Sequence, residues 1–160
     1  MGKKSYIIGI GAIVLIGILF FALRSNKAAS FETLANFNGD IKIYKSLSCG
    51  CCNIYANYFQ RKGNSNTEIV NLQGQELAML KEQYQIPKQL ESCHTTIIGD
   101  YFVEGHVPLE AIERLLLEKP DIKGIAMPGM PSGAPGMPGV KGEFIIYAVN
   151  NERYEEWMRL

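Results

Sequence analysis

The stretch Ile41-Lys-Ile-Tyr-Lys-Ser-Leu-Ser-Cys-Gly-Cys-Cys52 decides how this chain can fold. Its first four residues alternate between apolar and polar side chains, a pattern that predicts a short β-strand. Directly after the cysteines, apolar residues recur on one helical face between Ile54 and Phe59, and Gly63 provides a stop signal. The sequence therefore predicts a strand that leads through a cluster of cysteines into a helix.

Strands and helices alternate along most of the remaining chain. The elements that the patterns predict are strands at 68–72, 95–98 and 101–104 and helices at 75–84 and 108–119. Gly99-Asp100 joins the last two of these strands as a tight hairpin. The resulting order, β-α-β-α-β-β-α, combines crossover helices with a late antiparallel pair. We therefore expect an α/β fold of the thioredoxin-like sandwich type.

A long segment rich in glycine and proline interrupts this regular pattern towards the C-terminus. Residues 124–142 contain six glycines, four prolines and three methionines. Such a composition is too irregular for a helix or a central strand. We expect a long Gly/Pro/Met loop there, followed by a final strand at 144–149 and a short amphipathic tail at 152–160.

Residues 1–30 differ in composition from the rest of the chain and form a separate segment. Positions 6–23 carry no charge, and they would span roughly 27 Å as a helix, close to the thickness of a bilayer's hydrocarbon core. This run predicts an N-terminal transmembrane helix that stays on the protein. The alternative is a cleaved secretory signal, because small residues occupy 28–30. Both interpretations place the domain at 31–160 on the extracytoplasmic side, in the periplasm or outside the cell.

Charge does not identify a soluble partner. The chain has a formal net charge of zero at pH 7, and its basic residues are spread along the sequence. Proteins that bind nucleic acid usually carry a basic patch or stripe. We therefore expect no nucleic-acid partner, and the N-terminal helix predicts contact with a membrane.

The four cysteines, Cys49, Cys51, Cys52 and Cys93, are spaced like a binding site. A disulfide framework is the usual role of cysteines in an exported protein, but a bridge within so short a cluster removes little chain entropy. Amide groups at a helix N-terminus favour thiolates, which bind metals and act as nucleophiles. We therefore favour metal binding. Cys49 and Cys52 also have the C-x-x-C spacing of thiol oxidoreductases, and inert cysteines are a third alternative.

Further candidate ligands lie outside the cluster. In a thioredoxin-like fold the turn before the hairpin lies beside the first strand–helix loop, so Cys93 would supply a fourth sulfur from across the site. The two histidines of the chain, His94 and His106, are both predicted near the cysteines as ligands. Thioethers select Cu(I) as thiolates do, and we expect the loop methionines to cover the site more than to bind copper directly. Those methionines are Met127, Met130 and Met137.

Four motifs resemble the CopG-type copper-resistance proteins, which are small exported proteins with a CxCC motif. The motifs are Tyr44-Lys-Ser-Leu-Ser-Cys-Gly-Cys-Cys52, Ser92-Cys-His-Thr95, Glu104-Gly-His-Val-Pro108, and Pro128-Gly-Met-Pro131 followed by Pro135-Gly-Met137. The resemblance covers 41–149 and implies a thioredoxin-like fold, a copper site and a role in copper homeostasis. Carried over by position, it implies Cys49, Cys51, Cys52 and Cys93 as sulfur ligands, with His106 and His94 beside them.

Three functions are compatible with these residues. The first is binding of Cu(I) for copper homeostasis or redox chemistry, with more than one ion bridged by thiolates. The second is a membrane-tethered thiol–disulfide oxidoreductase that uses Cys49 and Cys52. Against it, the sequence has Ser92-Cys93-His94 where thioredoxins have the cis-proline that shapes their substrate groove. The third is a structural zinc site with four cysteines. We favour the first, with a copper-transfer or redox protein as partner, and leave open whether the chain is an enzyme.

Overall fold

The computed structural model of this chain describes residues 31–151 and 153–160. The transmembrane helix predicted at 6–23, like the alternative of a cleaved signal, falls outside these residues. Within the described ranges, no helix is both long enough and apolar enough to cross a membrane.

A seven-stranded mixed sheet runs through the described residues in the spatial order β2-β1-β3-β4-β5-β6-β7. Its strands are β1 (Ile41–Ser46), β2 (Glu68–Leu72), β3 (His94–Ile98), β4 (Tyr101–Glu104), β5 (Gly124–Ala126), β6 (Ile145–Asn150) and β7 (Arg153–Arg159). Strand β1 pairs in parallel with β2, and β4 with β5, whereas the other neighbouring pairs are antiparallel. The ends of β1 and β4 and the start of β3 therefore lie at the same end of the sheet.

Helices cover both faces of this sheet. In the described part of the chain they are α1 (Glu32–Ala35), α2 (Gly50–Lys62), α3 (Gly74–Gln83), a 3₁₀-helix (Lys88–Leu90) and α4 (Leu109–Glu118). The main core contains side chains of the sheet, α2 and α4, including the fully buried Ile43 and Phe59. A smaller apolar cluster contains Leu90 and Phe102. Phe102 and its neighbour Val103 belong to different clusters, so apolar side chains cover β4 on both faces.

The predicted α/β class and most of the predicted elements are confirmed. The strands at 68–72 and 101–104 match their predicted bounds, and the helices α3 and α4 begin and end within one residue of the prediction. Helix α2 begins inside the cysteine motif and ends before Gly63, whose amide donates to the carbonyl oxygen of Phe59. A Cβ at Gly63 would lie 2.9 Å from the side chain of Leu34, so this stop residue also permits close packing.

One prediction for the C-terminal part is wrong, and another is incomplete. Residues 124–126 form strand β5 inside the sheet, where a loop was expected. Gly124 makes this possible, because a Cβ there would lie 2.2 Å from the carbonyl oxygen of Phe102 on the neighbouring strand. The tail predicted at 152–160 contains edge strand β7, which pairs with β6 across a bulge between Ile146 and Tyr147.

Candidate metal centre

Cys49 caps the N-terminus of α2 and so fixes the cysteine cluster just after β1. Its sulfur accepts a hydrogen bond from the backbone amide of Cys52 at 3.3 Å. Gly50 begins the helix, which places Cys51 and Cys52 in the first turn. The free amides of a first helical turn favour negative charge nearby, and thiolates carry such charge. The predicted arrangement of strand, cysteine cluster and helix is confirmed.

The four cysteine sulfurs form one group at this end of the sheet. All four lie within 4.8 Å of one another, and those of Cys49 and Cys51 are 3.4 Å apart. Cys52 is fully buried, whereas the other three cysteines are half-buried. Cys93 lies immediately before β3 and reaches the cluster from the opposite side, where the sequence predicted it.

Two of these sulfurs are joined in this structure. Cys49 and Cys52 form a disulfide, while Cys51 and Cys93 are free thiols. The bridged cysteines are three positions apart, so the disulfide connects no distant parts of the fold. All four cysteines can serve as ligands only after this bond has been reduced.

A ring nitrogen of each histidine lies close to the sulfur of Cys93. Nε2 of His106 lies 3.1 Å from the Cys93 sulfur, and Nδ1 of His94 lies 3.6 Å from it. The donor atoms of Cys52, Cys93, His94 and His106 also lie within 4.8 Å of one another. The structure therefore brings all six predicted ligand side chains together, and their binding of a metal stays a prediction.

Packing and hydrogen bonds orient the two imidazole rings. Nδ1 of His106 donates to the carbonyl oxygen of Pro135 at 2.6 Å, so in the neutral ring Nε2 carries the lone pair that faces Cys93. The Tyr55 ring packs on His94 with centroids 4.4 Å apart. Among the described residues, Nε2 of the buried His94 has no hydrogen-bond partner.

Burial sets the protonation of these groups. Burial holds the pKa of His94 well below its usual value, and the neighbouring His106 ring and the ammonium groups of Lys81 and Lys45 lower it further. Burial also lowers the pKa of His106, although the carbonyl of Pro135 opposes this effect. Both rings are therefore neutral near pH 7, the form that binds metals. Burial, reinforced by Cys51, raises the pKa of Cys93 to about 11.

The Gly/Pro/Met loop packs against the start of α2, beside the cysteine cluster, and its role as a cover stays a prediction. Gly136 contacts the first turns of α2, where a Cβ would lie 2.9 Å from the carbonyl oxygen of Cys51 and from the amide of Tyr55. At its other end the loop accepts a hydrogen bond at Gly129 from the hydroxyl of Ser92, at 2.9 Å. Met127 is buried and Met130 is exposed. Direct binding of copper by a loop methionine stays a prediction.

A buried polar network that the sequence patterns do not predict lies beside these ligands. Lys81 of α3 forms an ion pair with Glu104 at the end of β4, and both side chains are almost fully buried. Glu104 also accepts hydrogen bonds from the Thr95 hydroxyl and the Ser92 amide. Lys81 follows Leu77 by one helical turn, which places it on the buried face of α3. That spacing could have indicated that Lys81 is buried, but it does not indicate Glu104 as its partner.

The donor set fits a soft metal ion. Thiolate sulfurs and neutral imidazole nitrogens are the ligands that copper and zinc accept. Fold and site together define an α/β protein with a candidate soft-metal centre.

Two solved structures resemble this chain and indicate a more specific kind of protein. They are described as form 1 and form 2 of copper resistance protein copG, and each matches this chain with a TM-score of 0.65 and 27% sequence identity. Each match covers 76% of this chain, together with 97% of the form 2 chain and 96% of the form 1 chain. The resemblance to the CopG-type copper-resistance proteins that the motifs indicated is confirmed.

A protein-family model matches a shorter part of the chain. It is described as a protein of unknown function, DUF411, and it covers residues 90–137. This range includes Cys93, His94, His106 and the loop methionines, but it does not reach the cysteines of α2. None of the curated proteins matches the chain.

Proposed function

We propose that this chain binds Cu(I) and takes part in copper homeostasis or resistance. The observation that carries the proposal is the grouping of four cysteine sulfurs within 4.8 Å of one another, beside two buried imidazoles. The likeness to copper resistance proteins supports copper above other soft metals. The proposed ligands are Cys49, Cys51, Cys52, Cys93, His106 and His94.

Two overlapping sets of donors support more than one copper ion per chain. Cys49, Cys51, Cys52 and Cys93 form the first set, and Cys52 and Cys93 recur in the second set with both histidines. A thiolate sulfur has enough lone pairs to join two metal ions. We therefore infer a small copper–thiolate cluster in which the two shared sulfurs are bridges.

The residues around the ligands would prepare this site for a cluster. An external thiol reductant or redox protein would reduce the Cys49–Cys52 disulfide with two electrons and two protons and be oxidised itself, and the thiol protons would leave when a metal binds. Amides at the start of α2 offset part of the thiolate charge. The loop would cover part of the site, since Pro135 accepts a hydrogen bond from His106 and Gly136 lies against the start of α2.

We further infer a thioredoxin-like fold in an exported, membrane-anchored domain. The order β1-α2-β2-α3-β3-β4-α4, with β3 antiparallel to both neighbours, supports this fold. The uncharged run at 6–23 supports an anchor, with 31–160 on the extracytoplasmic side. A copper-transfer or redox protein on that side would be the partner.

The disulfide favours a second candidate function, thiol–disulfide exchange. Cys49 is half-buried at the start of α2, and Cys52 is buried three positions later. A C-x-x-C pair at a helix N-terminus is typical of thiol oxidoreductases, because its thiolate is stabilised there. Cys51 and Cys93 count against this function, since neighbouring thiols compete for the same disulfide.

One experiment on the full-length chain separates the two functions. The reduced protein is loaded with Cu(I) without oxygen, challenged with a chromophoric Cu(I) chelator and with Zn²⁺, and assayed in parallel for reduction of insulin disulfides. If the protein binds copper, the wild type should retain Cu(I) against the chelator. The Cys51→Ser variant should retain less Cu(I), although it keeps the Cys49/Cys52 pair. Thiol exchange predicts insulin reduction that survives Cys51→Ser. Loss of all Cu(I) to the chelator, or retention of Zn²⁺ in its place, would contradict the proposed function.

A further inference from the structure

The ion pair of Lys81 and Glu104 is buried directly beside the candidate ligands. The side chain of Lys81 is 4% exposed and that of Glu104 is 0% exposed. Taking two charges out of water carries a large desolvation penalty, and apolar side chains of similar volume often give equal or greater stability. Stability alone therefore does not account for a charged pair at this position.

The hydrogen bonds of the pair converge on the segment that carries Cys93 and His94. Glu104 accepts from the Ser92 amide at 2.5 Å and from the Thr95 hydroxyl at 2.6 Å. The ammonium group of Lys81 donates to the same hydroxyl at 3.0 Å. Ser92 and Thr95 flank the two candidate ligands, so the network holds this short segment on both sides.

Glu104 itself belongs to the segment that carries His106. Glu104 is the last residue of β4 and lies two residues before His106. The backbone carbonyl oxygen of Glu104 accepts a hydrogen bond from the amide of Met127 at 3.0 Å. The amide of Gly105 donates to the carbonyl oxygen of His94 at 3.0 Å. The ion pair thus lies where the two ligand-bearing segments meet.

We propose that Lys81 and Glu104 are positioning residues of the metal centre, which hold Cys93 and His94 against His106 and the cysteines of α2. The pair acts through its hydrogen bonds to Ser92 and Thr95. These two residues flank Cys93 and His94, so their positions determine where the Cys93 sulfur lies. This inference rests on the proposed function, because it names what orients the proposed copper ligands. Outer residues that orient metal ligands typically change metal affinity by about 10–100-fold when they are lost.

The full-length double variant Lys81→Met/Glu104→Leu tests this role, because it removes both charges together and keeps most of the buried volume. Positioning predicts a protein that folds and binds Cu(I) roughly 10–100-fold more weakly in competition with a chromophoric chelator. The matched control is Lys42→Met/Glu68→Leu, which removes an exposed ion pair at the start of β1 and β2. This control should keep the wild-type affinity.

Metal-free, reduced protein gives a second readout that does not depend on copper. In the double variant, Cys93 should lose protection and react faster with iodoacetamide than in the wild type, as located by peptide mass. The cysteines of α2 should keep their rates, since Lys81 and Glu104 hold the segment before β3. A folded double variant with wild-type affinity and unchanged Cys93 reactivity would overturn the proposal.

A milder variant decides the question if the double variant does not fold. Thr95→Val removes one hydroxyl from the network and leaves the ion pair in place. It should lower the Cu(I) affinity and speed the alkylation of Cys93, and unchanged values for both would overturn the proposal. If the wild type itself retains no Cu(I), the proposed function fails, and the reactivity of Cys93 still decides whether the pair positions it.

Discussion

Cys93 is the residue that joins the two halves of the candidate centre. Its sulfur lies 3.1 Å from a nitrogen of His106 and 3.6 Å from a nitrogen of His94. It also belongs, with Cys52, to both sets of four donors. A sulfur that belongs to both sets could bridge ions held by each of them, so it should matter as much as a cysteine of the motif on α2.

We predict that Cys93→Ser weakens Cu(I) binding as strongly as Cys52→Ser does. Each change replaces a shared soft sulfur by a hard oxygen, and the loss should exceed the roughly 10–100-fold typical of outer residues. Affinity is measured by anaerobic competition with a chromophoric chelator. Ser48→Ala, an exposed change beside the cluster, is the control and should bind normally. Wild-type affinity in Cys93→Ser would show that the cysteines of α2 bind copper without help from across the site.

Copper binding should also release protons. Because burial and Cys51 raise the pKa of Cys93 to about 11, this residue is a thiol at pH 7 and must lose its proton to become a ligand. The affinity for Cu(I) should therefore rise with pH, by about tenfold per pH unit for each proton displaced, and fall as pH is lowered. Cu(I) added to weakly buffered, reduced protein should acidify the solution, and less so in Cys93→Ser. A pH that stays constant on loading would rule out binding through this thiolate.

At the scale of elements, the site depends on close contact between the Gly/Pro/Met loop and α2. Gly136 has a φ of +84°, and a Cβ there would lie 2.9 Å from two backbone atoms of the helix. Gly129 has a similar φ of +74°, but open space surrounds the position of its Cβ. The two glycines therefore separate the cost of backbone strain from the cost of a lost contact.

We predict that Gly136→Ala opens the loop and lets a chelator remove Cu(I) faster. Gly129→Ala carries the same backbone strain, of about 1–2 kcal/mol, yet it leaves the contact with α2 intact. The rate of copper removal under excess chelator is the measurement, with Gly129→Ala as the control. Equal rates in the two variants would mean that the contact at Gly136 does not protect the site.

Local patterns in the sequence predicted the elements whose signals lie within a few residues. The hairpin of β3 and β4 is one example, because Gly99-Asp100 marks its turn. Strand β5 could not be predicted in this way, since its three residues are too few to show a period. Its place depends on pairing between Gly124 and both Phe102 and Val149, which lie far away in the sequence.

The candidate site likewise has some features that the sequence predicts and others that it does not. Residue type and the order of the elements were enough to predict that Cys93 and both histidines lie near the cysteines of α2. The disulfide state and the hydrogen bond that orients His106 depend on three-dimensional contacts that no spacing reveals. The pairing of Lys81 with Glu104, which are 23 positions apart, was missed for the same reason.

At the scale of the whole molecule, all candidate ligands gather at one end of the sheet. The cysteines of α2 follow the end of β1, Cys93 and His94 lie at the start of β3, and His106 follows the end of β4. The antiparallel direction of β3 brings these three places together. Three of the four cysteines there are only half-buried, so the candidate centre lies near the surface of the protein.

We predict that 6–23 remain on the mature protein and hold it in a membrane. The uncharged run is long enough to span a bilayer, which typically needs about 20 apolar residues. The chain should resist extraction from membranes at alkaline pH, whereas a variant that lacks 1–30 should be released. A mature N-terminus sequenced near Ser30 would instead identify the segment as a cleaved signal.

The number of Cu(I) ions held by one chain decides between a cluster and a simple carrier site. Anaerobic titration of the reduced, full-length protein should saturate above one Cu(I) per chain, because two sets of donors share Cys52 and Cys93. X-ray absorption of the loaded protein should then show sulfur ligands together with a short copper–copper distance. Saturation at one Cu(I) per chain would contradict the cluster, and failure to retain any Cu(I) would contradict the copper site itself.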